Sequence, residues 1–432
     1  MRIVIIGGGF AGIKLAKKLM KKNYCEVIIV DKNNYHFFPP LLYQVSTAFI
    51  ETYNIAYPFR RMFQRKNNVQ YFMGALEQIL YKEKKIITSN GDLNYDYLVL
   101  SMGAITNYYA IDHIEDYAIP MKNINDAIHL RNHLLLSLEK ASQIINLNEI
   151  KKYTTIVIAG GGPTGVEIAG MLAEMRKKII PKDYSIEICK NIEIYIVDME
   201  DALLKSMSKK AQKEAFKVLE AMGIKIKLKT TVKGYENNKV VFKDGESIET
   251  VNLIWASGVK SILINGLPDA CYAKSNRLIV DEFNELKQVK DVFCIGDQCL
   301  QATDKNYPNG HPQLAQVAIQ QGNNLAENFI RHLNGEPPKP FHYKNKGSMA
   351  IIAKYKAVVD LPHGFFKGVF AWFIWLFIHL IPIAGFRNKI KLFFSWSWSF
   401  ITNDPPIRLI IRPRRKEKNS EEKHINEQIY QL

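Results

Sequence analysis

The sequence contains little cysteine. Its 432 residues include five, which are widely scattered: Cys25, Cys189, Cys271, Cys294 and Cys299. So few cysteines cannot form a disulfide framework, and their odd number fits a reducing compartment. The N-terminus also lacks the features of a signal peptide, because Arg2 is followed at once by a short apolar run and glycines, with no small-residue cleavage site. We therefore expect a protein that is not exported.

Acidic residues are also under-represented. There are 42 of them against 58 lysines and arginines, which gives a net charge of +16. Residues 339–418 alone hold 15 of the bases and three of the acids. The same stretch holds four of the five tryptophans: Trp372, Trp375, Trp396 and Trp398. Interleaved bases and aromatic residues can bind single-stranded nucleic acid. Here the aromatic residues form a continuous apolar run with bases at its flanks, so we expect an anionic membrane surface and no nucleic acid.

The apolar run at residues 368–386 contains no Asp, Glu, Lys or Arg. Nineteen such residues could span a membrane. However, His379 and Pro382 interrupt the run, bases lie on both flanks, and the second aromatic run, residues 392–401, is short. These features favour two helices lying in the membrane interface, with bases at 408–418 adding attraction to anionic lipid. A large dimer interface is an alternative that is compatible with this arrangement. Removal of everything after about Pro362 is expected to leave the rest folded.

The chain begins with a βαβ pattern. Residues 3–6 are a β-branched run, Gly7, Gly9 and Gly12 form G-x-G-x-x-G, and a helical pattern leads to a second strand that ends at Asp31. These glycines allow backbone N–H groups to approach a pyrophosphate at a helix N-terminus, and Asp31 can accept hydrogen bonds from ribose hydroxyls. With 47% apolar and 23% charged residues, the chain has ordinary globular composition, and its length predicts two or three domains.

The same pattern recurs later in the chain. A strand at 155–159 leads into the loop at 160–165, and the next strand ends at Asp198. Three glycine pairs are separated by nearly constant intervals: Gly7 and Gly160 by 153 residues, Gly91 and Gly245 by 154, and Gly103 and Gly258 by 155. This regularity predicts two copies of one dinucleotide-binding architecture. One copy would hold a flavin and the other a nicotinamide.

A third segment completes the first site. Residues 291–297 read as a strand that ends in Gly296-Asp297, where the carboxylate can bind cofactor hydroxyls. A helix is predicted from about Pro312, with Gln316 and Gln320 on one face.

Together these motifs resemble the flavoproteins with two dinucleotide-binding domains, and within them the type II NADH:quinone oxidoreductases. The narrower resemblance rests on the Ala315-Gln316-x-x-x-Gln320 helix and on residues 38–45, 347–350 and 356–361, although Ser101-Met102-Gly103 stands where Ala-Thr-Gly is usual. It implies an α/β, glutathione-reductase-like fold with two Rossmann-like domains and a C-terminal amphipathic helical membrane-anchoring region. The expected division is FAD-binding 1–115 and 266–335, NADH-binding 116–265, and membrane association 336–432 with a polar tail.

The resemblance also implies the activity: oxidation of NADH by non-covalent FAD and two-electron reduction of a membrane quinone without proton pumping. The enzyme would be a respiratory homodimer, peripheral or monotopic on the cytoplasmic face of the inner membrane. The acids at Asp198, Glu200 and Asp201 favour NADH over NADPH.

The site residues fall into four sets. FAD contacts are predicted at Gly7, Gly9, Phe10, Ala11, Gly12, Asp31, Lys32, Gln44, Ala75, Gly103, Gly296, Asp297, Gln316 and Val317. NADH contacts are predicted at Gly160, Gly162, Pro163, Thr164, Gly165, Glu167, Asp198, Ser257 and Gly258. Quinone contacts are predicted at Tyr43, Gln44, Gln316 and Gln320. Catalytic roles are predicted for Glu167, Gln316, Gln320 and Lys356.

Alternative activities remain open. A disulfide reductase or a sulfide:quinone reductase of this fold needs reactive cysteines near the flavin, and residues 37–47 contain none. Cys294 and Cys299 are spaced C-x4-C, but Cys294 falls inside a strand, which favours a buried apolar role. Another FAD-dependent pyridine nucleotide oxidoreductase, or a flavoprotein that binds a partner protein, is a further alternative. The histidines show no metal-ligand spacing, so no metal is expected.

Overall fold

The computed structural model describes residues 1–20, 25–64, 67–402 and 408–411. Most of the predicted basic segment at 408–418 and all of the polar tail therefore lie outside the described residues.

The elements are numbered in chain order. The helices are α1 (Phe10–Leu19), α2 (Leu42–Ser46), α3 (Thr52–Ile55), α4 (Phe59–Met62), α5 (Ile114–Tyr117), α6 (Ile124–Gln143), α7 (Leu147–Thr154), α8 (Pro163–Lys178), α9 (Ile180–Asp183), α10 (Ile186–Asn191), α11 (Lys209–Ala221), α12 (Ala315–Leu333), α13 (Gly368–Leu380) and α14 (Phe386–Thr402). The strands are β1 (Arg2–Ile6), β2 (Glu26–Asp31), β3 (Tyr35–Phe37), β4 (Ala56–Pro58), β5 (Val69–Met73), β6 (Leu76–Leu80), β7 (Lys85–Thr88), β8 (Gly91–Asn94), β9 (Tyr97–Leu100), β10 (Ile105–Thr106), β11 (Ile119–Pro120), β12 (Thr155–Ala159), β13 (Glu193–Val197), β14 (Lys225–Lys227), β15 (Val232–Glu236), β16 (Lys239–Phe242), β17 (Ser247–Glu249), β18 (Asn252–Trp255), β19 (Val259–Lys260), β20 (Leu278–Val280), β21 (Val292–Cys294), β22 (Cys299–Gln301), β23 (Ser348–Ala353), β24 (Lys356–Leu361) and β25 (Gly364–Lys367).

Two five-stranded parallel sheets form the centres of two units. The first sheet has the order β21-β9-β1-β2-β5 and the second β11-β18-β12-β13-β14. The glycine-loop strands β1 and β12 are β-branched runs buried on both faces, as expected when helices cover a parallel sheet. In each unit the glycine-loop strand lies at the centre, between the strand that follows the loop helix and the strand that ends in Gly103 or Gly258.

The likeness of the two units extends to their crossover connections. An antiparallel three-stranded sheet precedes β9 in the first unit (β6-β7-β8), and another precedes β18 in the second (β15-β16-β17). The predicted duplication is therefore confirmed, and the fold is α/β with two Rossmann-like domains.

The C-terminal region packs against both units. A third antiparallel sheet, β23-β24-β25, is followed by α13 and α14. Gly170 of α8 allows close contact with this sheet, since a Cβ there would collide with the carbonyl oxygen of Ile352. Among the described residues no helix combines the length and the apolar character that crossing a membrane requires.

Two details differ from the sequence expectations. The helix predicted from about Pro312 begins at Ala315, because residues before it are extended and Gln313 donates its side-chain amide to the Asp297 carbonyl. The tryptophans of the tail mostly face inward: Trp372, Trp375 and Trp396 belong to the core, and Trp398 is 62% exposed. The outward side chains of α13 and α14 are chiefly phenylalanine and isoleucine.

Candidate active site

The three motif glycines of the first loop, Gly7, Gly9 and Gly12, differ in the space around them. Gly7 has φ +100°, and a Cβ there would collide with the Ser101 carbonyl oxygen. A Cβ on Gly12 would collide with the Gly7 carbonyl. At Gly9 the nearest atom to an added Cβ lies 4.0 Å away, and the N-terminus of α1 carries no side-chain cap. The loop thus presents an open, uncapped helix N-terminus, which is the environment that a pyrophosphate needs.

The second loop repeats this pattern. Gly160 has φ +117° and lies against the Ala256 carbonyl oxygen, which would be 2.6 Å from a Cβ. A Cβ on Gly165 would collide with the Gly160 carbonyl. Around Gly162 there is no atom within 4 Å of an added Cβ, and α8 also begins without a side-chain cap. The second loop therefore fits a second pyrophosphate.

The acids at the two strand ends, Asp31 and Asp198, each accept backbone hydrogen bonds from their own glycine loop. Asp31 accepts a hydrogen bond from the Gly8 N–H at 2.7 Å and from the Asn33 N–H at 2.8 Å. Asp198 accepts from the Gly161 N–H, and from the Glu200 N–H at 2.8 Å. Burial raises the pKa of Asp31, although these backbone bonds oppose the shift. The acids that sequence reasoning assigned to ribose hydroxyls are therefore also structural parts of the loops.

The Gly296-Asp297 turn lies beside the first loop. A Cβ on Gly296, which has φ +81°, would be 3.5 Å from the Ala11 Cβ. The Gly296 N–H donates to the Gln321 side chain at 2.7 Å, which ties the turn to α12. Burial raises the pKa of Asp297, and Lys122 lies 3.9 Å from its carboxylate. The two chain segments predicted to hold one cofactor are thus brought together.

Glu167 lies buried in α8, one turn beyond the second loop. Burial raises its pKa well above the ordinary value of 4.5, although the backbone N–H of Ile351 donates to its carboxylate. It faces Tyr43, whose pKa is also raised by burial and by the charge of Glu167. The Tyr43 hydroxyl accepts from the Gln44 amide at 3.0 Å, and the Gln44 carbonyl accepts from the Trp396 indole at 2.7 Å. A chain of hydrogen bonds therefore extends from Tyr43, which lies near Glu167, to Trp396 of α14.

An apolar cleft opens beside this network. It lies between α2, α8, β23 and the two C-terminal helices. Tyr43, Gln44 and Ile351 lie along it together with Trp372 and Trp396. Glu174 and Lys178, ion-paired at 2.7 Å, also line it. A flat, apolar ring system with polar carbonyl groups would find suitable partners in this cleft.

Gln316 and Gln320 are already hydrogen-bonded to the backbone. Gln316 donates to the Gly347 carbonyl at 2.8 Å and accepts from the Lys346 N–H at 3.2 Å. Gln320 donates to the Lys344 carbonyl at 2.9 Å and accepts from the N–H of the same residue at 3.1 Å. The two amides therefore fix residues 344–347 against α12, and each amide nitrogen keeps a second N–H that a quinone carbonyl could accept from.

Lys356 lies apart from this group. It is exposed at the turn between β23 and β24, where it pairs with Ala353. Gly347, which contacts Gln316, lies at the opposite end of the same hairpin. The hairpin therefore separates Lys356 from Gln316, and the predicted role of Lys356 beside the flavin stays a prediction.

The remaining predicted positions surround the two loops. Gln44 and Val317 are buried and Lys32 is exposed, while Ala75 and Gly103 are half-buried. Phe10 follows the first loop and contacts His36 and Phe38 through ring edges. In the second unit Pro163 and Gly258 are exposed, and Thr164 and Ser257 are half-buried.

Several functional positions escaped sequence reasoning. His36 is buried with Nδ1 2.8 Å from the Gly8 carbonyl oxygen, and burial lowers its pKa to about 4. Ser101 donates to the carbonyls of Ile6 and Gly7 at 2.9 and 2.8 Å. Gln321 accepts a hydrogen bond from the Gly296 N–H, and Trp396 donates one to the Gln44 side chain at the cleft. No motif marks these residues, since each acts through contacts with distant backbone or side chains.

The cysteines of the described chain are all free thiols. Cys294 and Cys299 are buried, and the Cys299 sulfur lies 3.4 Å from the Asn284 amide nitrogen and 3.5 Å from that of Gln321. Within the described ranges no group of three or more His, Cys, Asp and Glu side chains is arranged to bind a metal.

Comparison with known proteins gives a consistent picture. Residues 1–322 match the family described as pyridine nucleotide-disulphide oxidoreductase, and residues 345–403 match the NDH2 C-terminal domain. The chain is 32% identical to the type II NADH:quinone oxidoreductase NdhA of Mycobacterium tuberculosis over 93% of its own length and 87% of that protein. It is 30% identical to Ndh of the same organism, again over 93% of its length and 88% of the relative. The solved structure of NDH2 from Plasmodium falciparum in complex with NADH has the same fold, with a TM-score of 0.87, 21% identity, and coverage of 95% of this chain and 99% of that one.

Proposed function

This chain belongs to the type II NADH:quinone oxidoreductase family, and on that premise we propose how its residues divide the work. The protein oxidises NADH and reduces a quinone, with FAD as its cofactor. The observation that carries the assignment of sites is the repeated glycine loop, with two tightly packed glycines around an open one in each unit.

We assign FAD to the first loop and NADH to the second. Gly9, Asp31 and Asp297 surround the first site, and the open, uncapped N-terminus of α1 at Gly9 suits a pyrophosphate. Gly162 and Asp198 mark the second. When bound, FAD supplies hydride acceptance and electron delivery. The proposed boundaries of the units stay as 1–115 with 266–335, 116–265, and 336–432.

Asp198 is proposed to select NADH. Its carboxylate is held by the Gly161 and Glu200 N–H groups, close to where an adenosine ribose would lie beside the loop. A 2′-phosphate there would be repelled by the negative charge of a carboxylate that these hydrogen bonds hold in place. Lys205 is paired with Glu200 and Asp201, so it does not offer an unpaired positive charge to a phosphate.

Glu167 is proposed to hold a proton for the reaction. Oxidation of NADH by a quinone consumes one proton from solution, because the hydride carries only one of the two hydrogens of the hydroquinone. Burial raises the pKa of this carboxyl well above 4.5, so it keeps its proton to a higher pH than an exposed glutamate and can donate it. Tyr43 and Gln44 would orient the quinone carbonyl in the cleft beside it, and the bound Glu174–Lys178 pair lies along the same cleft.

Membrane association is a property of this family, and α13 and α14 are proposed to provide it here. Their outward phenylalanines lie next to the cleft, so a lipid-soluble quinone could enter from the acyl region. Attachment to the cytoplasmic face of the inner membrane, a homodimer, and electron transfer without proton pumping complete the proposal.

A pair of single substitutions tests the assignment of the loops. Gly9 and Gly162 have φ of −75° and −72°, which any residue adopts, and open space around them. Gly162→Val should therefore fold and retain flavin while losing reduction by NADH, and Gly9→Val should fold but lose flavin absorbance. Gly234→Val, in an open position on β15, is the control. Loss of flavin from Gly162→Val, or a colourless parent protein that cannot take up FAD, would contradict the assignment.

The proposed reduction of quinone is tested by a separate measurement. The parent should oxidise NADH rapidly with a short-chain quinone and slowly without it. If fast turnover instead requires a protein acceptor, the alternative of a partner-binding flavoprotein gains support.

A further inference from the structure

Three segments that are far apart in sequence form one positively charged surface. They are residues 10–20, 52–64 and 386–402, which contain eight lysines and arginines and no Asp or Glu. Lys18 is paired with Glu327. We call the other seven the basic rim: Lys14, Lys17, Arg60, Arg61, Arg387, Lys389 and Lys391.

Contacts fix the relative positions of these segments. The Asn388 side chain donates to the carbonyls of Tyr53 and Ala56 at 3.0 and 2.9 Å, so the start of α14 is held against the segment that precedes Arg60. The ring of Tyr57 lies directly against Gly385. Lys14, on the same helix, and Lys389, on α14, are close enough to Lys17 for their charges to add to the lowering of its pKa by burial. The basic rim is therefore a built surface shared by the first unit and the tail.

The rim lacks acidic partners. Within the described part of the chain none of its seven members forms a salt bridge. Arg60, Arg61 and Lys391 instead lie over the rings of Tyr71, Tyr57 and Tyr53, at 5.4, 5.8 and 4.7 Å. Aromatic contacts steady the side chains and leave their charge uncompensated. Seven like charges held together in this way call for anionic groups from another molecule.

The rim borders a row of exposed apolar side chains. The members of this row on the two C-terminal helices and their connection are between 41% and 78% exposed: Phe377, Ile381, Phe386, Ile390, Phe393 and Phe394. Bases beside exposed phenylalanines match a bilayer surface, where rings enter the acyl boundary and cations meet lipid phosphates. A folded protein partner would need acidic groups around an apolar groove in the same arrangement.

We propose that the basic rim binds the phosphate groups of anionic phospholipids, so that the first dinucleotide-binding unit itself rests on the bilayer. The inference depends on the proposed attachment of α13 and α14 and extends it, because Lys14, Lys17, Arg60 and Arg61 belong to neither helix. With contacts on both the unit and the tail, the protein has one orientation on the membrane, and its cleft keeps a fixed height above the lipid.

Vesicle binding tests the inference with matched variants. We compare the full-length parent, Lys14→Gln/Lys17→Gln and Arg60→Gln/Arg61→Gln on vesicles of phosphatidylcholine alone and with phosphatidylglycerol as roughly one third of the lipid. The control, Lys239→Gln/Lys243→Gln, removes two exposed charges from the small sheet of the second unit. Flavin content and NADH oxidation with a water-soluble acceptor should match the parent in all variants, which shows that they are folded.

The expected result is selective. Each base close to an anionic surface strengthens binding about fivefold, so each rim pair should weaken binding to the phosphatidylglycerol vesicles by about 25-fold and leave binding to phosphatidylcholine unchanged. The control should bind both as the parent does. High salt should bring the parent towards the variants on the anionic vesicles.

Other outcomes overturn the inference in distinguishable ways. If the rim pairs bind like the control while Phe393→Ser/Phe394→Ser loses binding to both vesicles, the tail attaches the protein but the rim plays no part. Equal binding of the parent to both lipids would also exclude the rim. If the parent binds neither vesicle, the proposed membrane attachment and the role of the basic rim are both wrong. The exposed surface would then be tested as an interface with a second copy of the chain, by measuring the oligomeric state.

Discussion

Glu167→Gln separates the proposed proton donor from the fold around it. The glutamate is buried, and burial raises its pKa well above 4.5, so in the folded protein it keeps its proton to a higher pH than an exposed glutamate does. Glutamine has the same shape, carries no charge, and can still accept the hydrogen bond from the Ile351 N–H. The substitution therefore removes a transferable proton and little else.

Its effect on turnover follows from general acid catalysis. Loss of a positioned proton donor lowers rates by about 10²- to 10⁴-fold, so quinone-dependent NADH oxidation should fall by at least about 100-fold. The rate at which NADH reduces the flavin should fall much less. This rate is measured in the absence of quinone as the bleaching of the flavin absorbance. Glu214→Gln is the matched control, since this residue lies on α11, does not line the cleft, and is partly exposed in an ion pair with Lys367.

Stability supplies an independent check with a defined sign. The unfolded chain ionises Glu167 near 4.5, whereas the folded protein keeps it neutral to a higher pH. The neutral carboxyl therefore favours the fold fully at low pH, and this contribution declines as pH rises towards the raised pKa. Relative to Glu167→Gln, the parent should lose about 1.4 kcal/mol of unfolding free energy per pH unit across that window.

Urea unfolding at several pH values between 5 and 8 measures this difference. A difference between parent and Glu167→Gln that does not change with pH would refute the neutral buried carboxyl. A variant with undiminished quinone-dependent turnover would refute its role as donor, whatever the stability data show.

Three further substitutions test other parts of the structure. Asp198→Ala combined with Glu200→Gln should allow NADPH to reduce the flavin, measured as the ratio of its kcat/KM to that of NADH; a parent that already uses both equally would contradict the role of the acid. Trp396→Phe leaves the Gln44 carbonyl without its indole donor, which should lower unfolding free energy by about 1–3 kcal/mol and raise the KM for quinone. Gly170→Ala brings a methyl group against a β23 carbonyl and should cost several kcal/mol in urea unfolding, or prevent soluble expression.

The fold could be predicted because its signals are local. The first and third glycines of each loop, such as Gly7 and Gly12, meet backbone atoms of neighbouring segments, and no other residue fits there. Such a requirement leaves its mark at fixed spacing, and the spacing occurs twice. The acids at the strand ends follow the same logic, since each accepts a backbone N–H of its own loop.

Much of the site could not be predicted, because its partners are remote in sequence. Gln316 and Gln320 share a helix face as expected, but spacing on a helix does not reveal that residues 344–347 occupy both amides. Likewise, the composition of the tail indicates a membrane surface without showing which rings face it. Trp375 turns inward to stack on His379 with centroids 3.8 Å apart, whereas Phe377 points outward.

The inward tryptophans also change how attachment to a membrane must be tested. The sequence suggested that removal of everything after about Pro362 would leave both units folded. In the structure Trp372, Trp375 and Trp396 are core residues, and the loss of each large aromatic side chain from a core costs about 3–5 kcal/mol. Three such losses are comparable with the whole stability of a domain, about 5–15 kcal/mol. Truncation would therefore open the cleft and unfold its walls, and loss of quinone turnover in a truncated protein would say nothing about lipid. Substitutions of outward rings such as Phe393 leave the core intact, so only they isolate the contribution of the membrane.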